Sequence, residues 1–104
     1  MSAIALVATS VATRADAEAM ADALVGEGLA ACVQLAAVAS TYRWQGAVEC
    51  AEEWRVVKTT TLAAAAAAAR IAALHAYELP EIMTHAVDAA PGYAAWVAES
   101  VTGR

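Results

Sequence analysis

A two-residue turn between two long strand-like runs constrains this chain more than anything else in it. Residues 31–44 carry Val33, Leu35, Val38, Thr41, Tyr42 and Trp44, and residues 47–60 carry Val48, Trp54, Val56, Val57 and Thr59. Both runs favour a pleated strand. Gln45-Gly46 lies between them and suits a tight turn with positive φ at the glycine. Parallel strands need a long crossover, so so short a link predicts an antiparallel hairpin. Its register follows: Trp44 faces Ala47, Thr41 faces Cys50, and Cys32 faces Thr59. The two cysteines are then roughly nine residues apart along the ribbon at ~3.3 Å each, too far for a disulfide. Cys32 reads as a buried small hydrophobe, and Cys50 as exposed or at a subunit interface. Glu52-Glu53 interrupts the alternation, which predicts a bulge or an exposed edge there.

The flanking segments complete the order β-α-β-β-α-β-α. Residues 4–9 form a short apolar strand. Thr13-Arg-Ala-Asp16 resembles a capping box. Ala17, Met20, Ala21 and Leu24 then recur at helical spacing, and Gly26 and Gly28 end that helix. Residues 62–74 form a second helix containing seven consecutive alanines, the best helix former. Such a helix can lie close on a sheet. Residues 82–89 form a strand, and Pro91 starts a last helix in which Tyr93, Trp96, Val97 and Val101 share a face. This is an α/β (α+β) chain, a single domain over residues 1–104. The βαββαβ core is the ferredoxin-like arrangement, with an antiparallel sheet, two helices on one face, an extended central hairpin and a C-terminal helix. A doubly wound parallel sheet is the alternative, disfavoured by the tight turn.

Composition narrows the function classes. The 104 residues carry a net charge of −5, and only 16% are charged. An acidic chain with a single Lys is a poor polyphosphate binder, which argues against nucleic acid as the main partner. A mean hydropathy of +0.54 argues against disorder. No apolar run is long enough to predict a membrane span, and no basic stretch precedes an apolar one as in a signal peptide. With no CxxC pattern, the cysteines read as reduced and the protein as cytoplasmic. P-loop, dinucleotide, HExxH and nucleophile-elbow motifs are absent. No nucleophile–base pair is visible either, so no enzyme and no catalytic residue are expected. There are 32 Ala against 21 Leu, Ile and Val together, and no Phe. A core this thin relies on close backbone approach and can need a partner chain to complete it.

Lengths make the same point. Hairpin strands of about 14 residues span ~45 Å at ~3.3 Å per residue. Helices of about 13 residues cover only ~20 Å at 1.5 Å per residue. The tip, with Tyr42, Trp44, Val48 and, lower down, Trp54, then overhangs its own helices. Large aromatics on an uncovered ribbon favour association, which predicts an obligate homo-oligomer. A shorter hairpin curling back on its own sheet is the other outcome.

The linked motifs Leu29-Ala-Ala-Cys32-Val, Tyr42-Arg-Trp44-Gln-Gly46, Lys58-Thr59-Thr60, His75-Ala-Tyr77-Glu78-Leu-Pro80-Glu81-Ile and Tyr93-Ala-Ala-Trp96 resemble the CutA divalent-cation tolerance proteins over nearly the whole chain. The resemblance implies a ferredoxin-like subunit, similar to the PII signalling proteins, in a tight homotrimer. It also implies a link to copper and other divalent cations without an established catalytic activity. Two departures stand out. The family's His-Pro-Tyr is His75-Ala76-Tyr77 here. Thr9 stands where some members carry a Cys, and it supplies no thiolate to copper.

The densest polar cluster is His75, Tyr77, Glu78 and Glu81. Imidazole and carboxylate together suit Cu(II) or Zn(II), so His75, Glu78 and Glu81 are the candidate ligands of a divalent metal ion, copper foremost, with a fourth from solvent, from Glu52 or Glu53, or from a neighbour chain. The bland alternative is a helix-end histidine serving the dipole, with Tyr77 and Pro80 packing the turn. Lys58, the only lysine, lies in a strand that reads as central and needs an anionic partner; Glu81 is the expected one. His85 reads as a core or surface histidine. Tyr42, Trp44, Trp54, Lys58, Tyr77 and Trp96 are the candidate interface or ligand-cleft residues, the aromatics serving interface and core before any binding cage. Three functions compete: a non-enzymatic trimer of metal tolerance, a PII-like module taking a small anionic effector between subunits, and a purely structural trimer.

Overall fold

The structure, a computed structural model, describes residues 2–62 and 64–101. Its elements are β1 (Ser2–Val11), α1 (Arg14–Gly26), β2 (Cys32–Trp44), β3 (Ala47–Thr60), α2 (Ala65–Leu74), β4 (Met83–Ala89) and α3 (Pro91–Ser100). The strands form one antiparallel sheet in the order β2-β3-β1-β4. This is the ferredoxin-like order with α3 appended, and the doubly wound alternative falls away.

The hairpin turn carries φ of 50° at Gln45 and 84° at Gly46. Two consecutive positive φ values define the primed turn whose twist matches its strands. The predicted register holds at Trp44↔Ala47, Thr41↔Cys50 and Cys32↔Thr59, and both cysteines are free. Of the expected bulge or exposed edge, the edge is what forms: pairing with β2 runs unbroken through Ala39↔Glu52 and Val38↔Glu53, but β1 pairs with β3 only as far as Trp54, and Glu52 is exposed. The Thr13 side chain accepts the Asp16 amide at 3.1 Å and caps α1. β1 is longer than its apolar run because it pairs on both sides, with β3 and β4. α2 begins at Ala65, later than expected, and Met1, Ala63 and residues 102–104 of the expected single domain lie outside the described residues.

The main core lies between α1 and α2 and one face of the sheet. Val7, Val11 and Val56 meet Ala17, Met20 and Leu24 of α1 and Ala67 and Ile71 of α2. The alanines let the helix backbones approach closely, with Leu24 and Ile71 fully buried among them. A second small core places Ala94 and Val97 of α3 on Ile4. Tyr93 and Trp96 do not share that buried face, correcting the single-face reading of α3. Their rings lie 5.5 Å apart on its exposed flank.

Among the described residues no helix is long and apolar enough to cross a membrane. The molecule measures 45 × 25 × 21 Å, and α1 and α2, with 13 and 10 residues, are too short to follow the hairpin to its end. Tyr42, Trp44 and Val48 are exposed there. Trp54 is not part of that overhang. It packs against the main core, with the Arg14 guanidinium 5.4 Å from its ring centroid.

Candidate functional site

The overhanging hairpin and the segment after α2 enclose a cleft of about 730 Å³. Tyr42 and Trp44 line it from β2, Glu53 from β3, and Tyr77, Glu78 and Glu81 from the facing segment. Of the predicted interface or cleft residues, it gathers Tyr42, Trp44 and Tyr77. Trp54, Lys58 and Trp96 are not in its lining.

His75 anchors the facing wall. α2 stops at Leu74, and His75 is its C-cap in extended backbone, with its amide on the Ile71 carbonyl at 2.9 Å. The Tyr77 amide donates to Nδ1 at 3.1 Å. Nε2 therefore carries the ring proton and donates to the Ser10 carbonyl at 2.9 Å, with Thr9 Oγ1 at 3.1 Å. The Thr9 hydroxyl in turn donates to the Glu81 carbonyl. Both ring nitrogens are thus committed to holding the segment against β1. Thr9, at the position where a thiol was sought, is a strap residue.

Glu81 closes the segment from the other end. Its carboxylate pairs with Arg55, which also donates to Ser10 Oγ at 3.3 Å. The expected Lys58–Glu81 pair does not form. Lys58 lies opposite Val7 and Val33, so its side chain is on the helix-covered face, fully buried, with Nζ donating to the Val56 carbonyl at 3.1 Å. Burial first, then the nearby charge of Arg55, lowers its amine to about 7.

Glu53, which the sequence offered only as a break in alternation or, with Glu52, as a further metal ligand, holds a place that was not expected of it. It is only 9% exposed, and its Oε2 accepts the Tyr77 hydroxyl at 2.6 Å. Burial, and then the Glu53 carboxylate, raise the Tyr77 phenol above its usual range, so it remains a donor. The signal was present in the sequence: the turn places Glu53 opposite Val38, a position to bury, and two acids there need a reason.

Among the described residues, no group of three or more His, Cys, Asp and Glu side chains is placed to hold a metal ion. The candidate set His75, Glu78 and Glu81 therefore does not converge within one chain. His75 is turned to β1, Glu81 to Arg55, and Glu78 alone is left to the cleft without an ion pair among the described residues. What the cleft has is negative charge and aromatic wall, with no Lys or Arg in its lining.

Comparison with known proteins agrees with this architecture. A curated divalent-cation tolerance protein CutA of Thermus thermophilus is 49% identical over 69 residues, 64% of this chain and 67% of that protein. The CutA homolog of Danio rerio is 38% identical over 77 residues, and the match spans only about half, 51%, of that longer protein. The crystal structure of CutA from Xylella fastidiosa superposes with a TM-score of 0.91 at 35% identity, covering 94% of this chain and 97% of that one. A CutA of Archaeoglobus fulgidus described as periplasmic superposes at 0.88 with 25% identity, over 96% of this chain and 99% of that one. The family pattern of the CutA1 divalent ion tolerance protein matches residues 5–100, and the chain belongs to that family.

Proposed function

We propose that this protein serves divalent-cation tolerance as a non-enzymatic homotrimer in the cytoplasm, meeting the ion at the acidic cleft beside the hairpin. The observation that carries the reading is the lining of that cleft: three carboxylates, Glu53, Glu78 and Glu81, and no basic side chain. The same lining disfavours a small anionic effector, whose charge would face those of the wall. Trimerisation is supported by the tip, where Tyr42, Trp44 and Val48 remain exposed and a neighbouring chain would cover them. Two free thiols suit a reducing compartment.

Metal contact falls to Glu78 first, and to Glu81 where it gives up its pair with Arg55, with further ligands from solvent or a sister chain. His75 joins them only by giving up Ser10 and the Tyr77 amide, so its first role is to hold the loop. Copper, which a given donor set binds more tightly than the other first-row divalent ions, is the ion we favour. Calorimetry with Cu(II), Zn(II) and ATP tests this. We expect Cu(II) affinity to fall at least tenfold in E78Q/E81Q and ATP to give no heat. Unchanged affinity in that variant removes the pair from the site. Saturable ATP binding overturns the reading in favour of an anionic effector. Light scattering at low micromolar concentration checks the assembly, and a stable monomer contradicts it.

A further inference from the structure

We propose that the acidic cleft of one subunit seats the hairpin tip of the next, with the partner subunit's Arg43 on Glu53 and the partner subunit's Val48 against Tyr42 and Trp44. The inference rests on the trimer reading and supplies the contact that closes the ring. It leaves Glu78 and Glu81 to the ion.

The tip has two sides. Directly opposed residues of an antiparallel pair lie on one side of the ribbon, and successive residues alternate. Arg43 faces Val48, so these two share a side, whereas Tyr42 faces Glu49 and Trp44 faces Ala47 on the other. Glu53 faces Val38, which puts it on the side of Tyr42 and Trp44, and all three line the cleft. Neither Arg43 nor Val48 is in that lining, and both are exposed. One side of the ribbon is therefore the wall of a socket, and the other is open to enter the socket of a second chain.

Charge selects the occupant. A carboxylate taken out of water demands compensation. Glu53 is nine-tenths buried, yet none of the ion pairs among the described residues includes it; these are Arg14–Glu18, Arg55–Glu81 and Arg70–Glu27. Its hydrogen bond from the Tyr77 hydroxyl falls on Oε2 and fixes the carboxylate's orientation. Of the described Lys and Arg residues, Arg43 and Lys58 alone make no ion pair, and Lys58 is fully buried in the core. Arg43 has one long hydrogen bond, to the Gly46 carbonyl at 3.4 Å. It cannot reach Glu53 of its own chain. It stands five residues along β2 from Val38, roughly 16 Å at ~3.3 Å per residue, and on the other side of the ribbon. A second chain meets no such bar, and a guanidinium on a fixed, largely buried carboxylate is a typical interface anchor.

The same seating covers the apolar tip. Val48 is 62% exposed, Tyr42 45% and Trp44 38%. Seated together, the valine of one chain and the two rings of the next shield one another from water. A plug on one side of the ribbon and a socket on the other make a heterologous contact, the kind that closes into a ring.

Light scattering of the full-length protein across a dilution series tests the pair by a double-mutant cycle. R43Q and E53Q should each raise the concentration of half-assembly at least tenfold, and R43Q/E53Q should stay within threefold of the more weakly assembled single variant. An unchanged R43Q or E53Q, or losses that multiply in the double variant, overturn the proposal while the assembled parent upholds the trimer reading. A parent that is monomeric throughout overturns both. Should E53Q fail to fold by circular dichroism, R43E is set against R43Q. R43E brings a carboxylate to an acidic wall and should weaken assembly at least tenfold more; equal losses overturn the proposal.

Discussion

The two ends of the hairpin share strands and register but not surroundings. At the base, Val56 is fully buried beneath α1 and α2, together with Leu24 and Ile71. At the tip, Val48 is 62% exposed and Tyr42 45%. The ladder does not change between them: pairing runs without a break from Cys32↔Thr59 to Trp44↔Ala47. Hydrogen bonding and the turn therefore set the length of the ribbon, and packing does not. Apolar side chains at the base are explained by the subunit's own core. Those at the tip have no such explanation within one chain, and an exposed cluster of large apolar groups marks a surface meant for something else.

Truncations at the two ends should fail in different assays. Leu24→Ala should cost about 3 kcal/mol of folding stability in chemical denaturation, the usual toll for a buried leucine against well-packed helices. A loss below ~1 kcal/mol would mean that the base is not the tight end of the molecule. Trp44→Ala should leave far-ultraviolet circular dichroism intact and weaken assembly by about 2–3 kcal/mol, read by light scattering across a dilution series. A variant as well assembled as the parent at low micromolar concentration would show that the tip is not the covered surface.

Lys58 brings a charge to the well-packed end, and its effect depends on pH. Its amine is lowered from 10.5 to about 7 in the folded chain, by burial and then by Arg55. Between those values the unfolded chain binds more protons, so stability rises as pH climbs from about 7 towards 10.5. Below that window the folded state carries the full cost of a buried ammonium. No sister chain relieves it, because Lys58 has no exposed surface even in one subunit. Lys58→Met should gain about 2 kcal/mol at pH 7 and flatten the slope. Denaturation midpoints at pH 7 and 9.5 for parent and variant decide it; parallel slopes would show that the amine is charged throughout.

Local chemistry made much of the fold legible. The turn at Gln45-Gly46 and the Thr13 cap are short-range rules, and both operate as read. What failed were inferences that crossed elements. His75 and Glu78 were grouped as one polar cluster beyond the helix end, but His75 is already extended, so closeness in sequence does not put the two on one face. Glu81 was assigned to Lys58 by charge and by its place at the entry to the last core strand. The β1–β3 register, with Val7↔Lys58 and Ser10↔Arg55, puts the lysine on the helix face and leaves Arg55 as the cation beside Ser10 and Glu81. No turn motif announces that register. Glu53 was read as a break in alternation because its partner, the Tyr77 hydroxyl, arrives from a segment 24 residues away. The cleft was invisible for the same reason: its two walls meet only after the segment following α2 has folded back over the hairpin.

The smallest expected effect is the sharpest test of the contrast. Val48→Ala removes two methyl groups from a residue more exposed than any core position, so little transfer energy is lost and no cavity forms. Folding stability should change by less than ~0.5 kcal/mol. Alanine is the poorer strand former, so the sign should be slightly unfavourable. If the variant instead unfolds as readily as Leu24→Ala, the tip is part of the cooperative core, and the ribbon closes on its own sheet. If folding is untouched but the assembled mass falls on dilution, the two methyl groups act only against a second chain. That pair of readings, one for folding and one for association, separates a tip that serves its own subunit from a tip that serves its neighbour.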